Sequence, residues 1–175
     1  MKRSLACLLV AASLSTSAAF AARLSANDVA AVDAAIDKSN AALVRGDVDG
    51  VVDSTADQLL GAMGGRAKYA AAVQGIVKTM KDLDLRVASH TMEPPTEPVK
   101  AGDWLVTVVK ESTVMETRGR RVRTDGFTVA VRPAAGGRWK LIGGKGIAQA
   151  PGIMAELFPG FPANYKFPAF VDTPL

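Results

Sequence analysis

The sequence predicts an α+β domain: three N-terminal helices packed in a curved, mostly antiparallel sheet, with an irregular Pro/Phe-rich C-terminal tail. Three observations predict it. Apolar residues recur at helical spacing between Ser25 and Asp82, they alternate beyond Asp82, and the two patterns occupy separate stretches of the chain. Segregated helices and strands pack as α+β, whereas interleaved ones would build a parallel sheet.

Ser25-Ala26-Asn27-Asp28 reads as a capping box with aspartate in the usual place of glutamate. Val29, Val32, Ile36 and Leu43 then mark one amphipathic helix to about Val44. Arg45-Gly46-Asp47 breaks it, and Val48, Val51 and Val52 give a second, shorter helix ending near Thr55. "DQLLGAMGG" reads as a short strand followed by a Gly64-Gly65 turn. From Arg66, Tyr69, Val73, Ile76, Val77 and Met80 share the face of a third helix. Gly75 inside that helix costs about 1 kcal/mol relative to alanine, which close packing against another element would explain.

Leu83, Leu85 and Val87 then alternate with Asp84, Arg86 and His90. The three prolines of "EPPTEP" cannot donate to a ladder and make a loop. Trp104 to Val109 is apolar on both phases and reads as a central strand. "ETRGRRVR" is a hairpin tip around Gly119; Phe127, Val129 and Val131 alternate on the next strand, and "RWKLIG" closes the sheet. The tail, residues 151–175, carries four of the six phenylalanines. Aromatics of that size favour burial, so the tail is expected to lie over the domain and cover Phe158, Phe161 and Phe167; the alternative is a docking surface.

The first 21 residues have the three parts of a secretory signal: Lys2 and Arg3, an apolar run from Leu5 to Leu14, and Ala19-Phe20-Ala21 for cleavage. The run is too short to span a bilayer, which takes about 20 residues, and Cys7 lies within it rather than at its end, so no lipid or membrane anchor is expected. The chain divides into a signal peptide (1–21), an α+β domain (22–150) and the tail (151–175), with export after cleavage near Ala21. The exported chain then has no cysteine, hence no disulfide, cysteine nucleophile or thiolate metal site. A domain of about 150 residues buries roughly 68–70% of its unfolded surface and needs no staple. Loss of Lys2 and Arg3 takes the formal charge from +4 to +2, and no basic stripe with interleaved aromatics suggests nucleic acid.

Three stretches carry a family likeness: "ALVRGDVDGVVD" (Ala42 to Asp53), "GGRAKYAAAV" (Gly64 to Val73) and "GGRWKLIGG" (Gly136 to Gly144). In their order and spacing the chain resembles the nuclear transport factor two-like superfamily, which includes ketosteroid isomerase, scytalone dehydratase and polyketide cyclases. The resemblance covers about Ser25 to Ile147. It implies a cone whose curved sheet wraps the helices and leaves a pocket at its open end. It does not imply one activity, because such a fold hosts enzymes, binders and interaction modules.

The expected pocket is apolar and lined by Tyr69, Trp104, Val106, Phe127, Val129 and Trp139. The leading functional reading is an exported module binding a small hydrophobic molecule, with a homodimer through the sheet face as a further expectation and no cofactor. A second is a cofactor-independent isomerase, dehydratase or cyclase on a hydrophobic carbonyl compound. That chemistry needs a carboxylate base in an apolar pocket and a donor to the oxyanion. Glu111 and Asp125 lie on strands; Asp125 shares the phase of Phe127 and Val129, so it is the candidate base, with Tyr69 as donor. Against this, aspartate beside Gly126 is often a turn residue. A third reading is a periplasmic inhibitor or immunity-type protein that docks a partner through its sheet or tail.

The remaining motifs read as structural. His90, the only histidine, excludes a histidine zinc cluster and lies on the phase of Asp84 and Arg86, facing solvent. Arg118 to Arg123 reads as a solvated hairpin tip. Asp47, Asp49 and Asp53 lack the glycine and glutamate of a calcium loop and instead suit a helix N-terminus. In "GRWKLIGGKG" Gly146 stands where a phosphate-binding loop has serine or threonine, and "IAQAPG" is read as reaching Pro151 without a helix.

Overall fold

The computed structural model describes residues 23–175; the expected leader, Cys7 and the cleavage site at Ala21 lie outside the described residues. Among those described, no helix is long and apolar enough to cross a membrane. The architecture is α+β: N-terminal helices, then a curved six-stranded antiparallel sheet that does not close into a barrel.

Four helices precede the sheet: α1 (Ala26–Arg45), α2 (Val48–Ser54), α3 (Asp57–Ala62) and α4 (Arg66–Asp82). Ser25 caps α1 by accepting from the Asp28 amide, and Gly46 ends it with φ 71°, a left-handed turn that suits glycine. Asp47 caps α2 by accepting from the Gly50 amide. The stretch "DQLLGAMGG" is a helix, α3, and not the strand its short apolar run suggests. Leu60 is its only buried residue, so one contact point decides it, and six residues are too few for periodicity to separate the two states. A single β-bridge from Thr55 to Leu141 is what remains of an early strand.

The sheet is built on the hairpin of β3 (Trp104–Thr117) and β4 (Arg120–Pro133), joined by Arg118 and Gly119, both at positive φ. β1 (Arg86–Met92) and β2 (Val99–Ala101) share the outer edge of β3. β5 (Lys140–Gly143) and β6 (Val171–Pro174) share that of β4. Both faces of the central hairpin are covered, which its two apolar phases require. Helix α1 covers the inner face, where Val32 and Ile36 meet Val109, Ala130, Trp139 and Leu141.

The C-terminal segment covers the outer face. After a short helix, α5 (Gly144–Gln149), the Pro/Phe-rich tail is less irregular than its composition suggests, with a second short helix, α6 (Ile153–Leu157), before β6. Phe158 and Met154 are fully buried against Val106, Phe127 and Val129; Phe161 is 5% exposed and Phe167 and Phe170 are half-buried. A dimer through this face would have to displace the segment. Strand β5 runs directly into α5, so a helix does follow "KLIGG". A Cβ on Gly144 would lie 2.1 Å from the Phe127 carbonyl oxygen, so only glycine lets the chain turn there against β4.

Helix α1 is tied to the sheet through Asp28. Its carboxylate takes the Ser25 hydroxyl at 2.8 Å, the Arg132 guanidinium at 3.0 Å and the Trp139 indole N–H at 3.3 Å, while Arg132 lies 5.0 Å over the Trp139 ring. The Ser25 hydrogen bond, then Arg132 and Trp139, hold the Asp28 carboxyl below its ordinary value, with partial burial opposing them. A depressed folded pKa adds stability that is present above the unfolded value and lost as pH falls through the folded one. Asp28→Asn should therefore destabilise the protein at pH 7, and the deficit should shrink as unfolding is measured down to about pH 3.

Candidate functional site

Helix α4 packs principally on α2 and has no comparable packing on the sheet among the described residues. The gap is a half-open cavity of about 670 Å³ between α1, α4, β1 and β3, within the range of ligand sites. It follows β3 from Glu111 to Met115, a span of about 13 Å at strand rise. One end is apolar, formed by Val44, Met80, Leu85 and Met115. The other end holds Asn40, His90 and Glu111.

Those three groups touch. Glu111 Oε2 lies 3.1 Å from His90 Nε2, and Asn40 Nδ2 lies 3.2 Å from the same nitrogen. The Thr128 hydroxyl donates to Glu111 Oε1 at 2.9 Å. The His90 and Glu111 side chains are only 17% and 19% exposed, so their contact is shielded from water more than a surface pair is. One ring N–H cannot be donor and acceptor at once. When Nε2–H donates to Glu111, the Asn40 amide turns its oxygen toward the ring. Among the described residues no hydrogen bond engages Nδ1, so in that tautomer its lone pair is free.

His90 faces the cavity and not solvent because β1 is bulged. Val87 pairs with Met115 and Ser89 with Val114, so Ala88 is the extra residue and the strand phase flips there. Leu85, Val87 and His90 thereby line one wall. The bulge itself leaves no mark in the alternation of "LRVASH". Glu111 and Asn40 do leave a signal. Glu111 continues the otherwise uncharged inner phase Leu105, Thr107, Val109, and Asn40 sits one turn after Ile36 on the apolar stripe of α1.

The residues chosen from sequence fall elsewhere. Val106, Phe127 and Val129 are sealed in the outer core, and Trp104 stands edge-on to Phe158 at 5.6 Å. Trp139 is buried on the inner face beside α1, and Tyr69 is half-buried on α4. None of the six lines this cavity. Asp125 sits within β4 opposite Ser112, on the outer face, with its carboxylate 3.2 Å from Arg123. The structure does not bring Asp125 and Tyr69 together with the cavity; Glu111 is its carboxylate. Asp49 and Asp53 both bind Arg66, at 3.3 and 2.7 Å.

No family model, curated protein or solved structure matches the chain.

Proposed function

We propose that the cavity binds a small, mostly apolar molecule bearing one uncharged hydrogen-bonding group, and that the chain is an exported protein of nuclear transport factor two-like design. The observation that carries this is the division of the cavity: mostly apolar along its length, where Thr79 and Thr113 add only hydroxyls, with Asn40, His90 and Glu111 together at one end. Apolar walls supply affinity and a few convergent polar groups fix orientation. The Glu111 carboxylate disfavours an anionic head group; the bare His90 Nδ1 suits a hydroxyl donor, and the Asn40 amide N–H is the group that can donate to a carbonyl. The element order and the curved sheet around the helices support the family likeness. The test is titration with 2-decanone, a neutral ketone, followed at the ring of His90, the only histidine in the chain.

The contact between His90 and Glu111 favours a second reading, catalysis of proton transfer on the same ligand. A carboxylate that holds an imidazole in one tautomer prepares its other nitrogen as a general base. This keeps the isomerase or dehydratase chemistry but moves it from Asp125 and Tyr69 to His90 and Glu111.

A further inference from the structure

Gly75 carries the helix-interior penalty of glycine without a packing reason for it. Its φ is not among the positive values, and a Cβ built on it meets nothing within 4 Å. The close packing expected from the sequence is absent there; Gly75 instead borders the cavity. At about 100° per residue, Gly75 lies at the edge of the arc of α4 that faces the cavity, beside Ala72, Ile76 and Thr79. The turn after Asp82 sends the chain back along β1. Counted from the contact of Leu85 with Met80, Gly75 is about 7.5 Å along the helix and Val87 about 6.6 Å along the strand. Both border the cavity, Gly75 from α4 and Val87 from β1. Ile76 and Val87 are 52% and 36% exposed there, so apolar surface continues out to the rim.

We infer that Gly75 is a specificity-determining residue: it keeps the α4 lip bare so that a ligand wider than a single alkyl chain fits between α4 and β1. This rests on the cavity being a binding site for neutral apolar molecules. The ligand class narrows to ring-bearing or branched ketones and alcohols.

The test compares two neutral ketones of equal carbon count, straight 2-decanone and ring-bearing menthone, by calorimetry with the full chain. Wild type binds both. Gly75→Leu weakens menthone roughly tenfold or more while leaving 2-decanone within about threefold, as added bulk in a filled site does. Gly75→Ala moves in the same direction by less, and both variants melt higher than wild type because alanine and leucine are better helix formers. Thr79→Leu, one turn along the same helix, is a second obstruction expected to weaken menthone more than 2-decanone, although it also removes the hydroxyl that donates to the Gly75 carbonyl. Equal losses for both ketones, no loss for either, or wild type that binds 2-decanone but not menthone would each overturn the role of Gly75 and leave the binding site standing. Failure of wild type to bind either ketone would instead remove the reading beneath it.

Discussion

Phe158→Ala is expected to destabilise the protein by about 4 kcal/mol, the range for deleting a buried phenyl ring. Phe158 has no exposed surface, meets Trp104 edge-on and sits in the cluster with Met154, Val106 and Val129. Its neighbours come from a rigid sheet on one side and from α6 on the other, so the cavity left behind cannot collapse easily. Against a typical total of 5–15 kcal/mol this is a large fraction, equivalent to a fall in Tm of roughly 10 °C at this chain length. Urea unfolding measures it directly. A loss below about 1 kcal/mol would mean that the C-terminal segment is a detachable cover and not half of the outer core.

Glu111→Gln is expected to change which head group the cavity accepts. Decanoate places a carboxylate where 2-decanone places a carbonyl, so in wild type it meets the Glu111 carboxylate. Two like charges about 4 Å apart repel by about 4 kcal/mol at an effective dielectric of 20, and partial exposure to water reduces that to about a third. Decanoate should therefore bind wild type roughly tenfold more weakly than 2-decanone. In Glu111→Gln the two should come within about threefold of each other, because glutamine keeps the Thr128 hydrogen bond and loses the charge. Calorimetry with both ligands on both proteins decides it. Equal affinities already in wild type would place the head group away from Glu111.

The fold class was legible because its two signals are long. Alternation through β3 and β4 and the 3.6 period of α1 and α4 each extend over many residues, and averaging makes them robust. Two short elements were not legible: α3 buries one residue and α5 two, so neighbours and not local pattern decide their state. The expected pocket residues lie outside the cavity for a different reason. Phe127, Val129 and Trp104 were chosen as pocket residues for being large and in phase, and those properties equally describe the sealed face of a two-faced sheet. Which face stays open depends on what covers the other, and here the Phe-rich segment covers the outer one. One unpaired residue at Ala88 then reversed the reading of His90. Polar residues that interrupt apolar phases, Asn40 and Glu111, were the better guide.

The central claim is that a neutral apolar ligand lies in the cavity with its polar group at the end formed by Asn40, His90 and Glu111. His90 is the only histidine, so the ring-nitrogen resonances of uniformly labelled protein report this one residue. Titration with 2-decanone is predicted to move those resonances saturably, with the same dissociation constant that calorimetry gives. Ketone binding that saturates by calorimetry while the His90 ring signals stay fixed would contradict it, as would the absence of any binding.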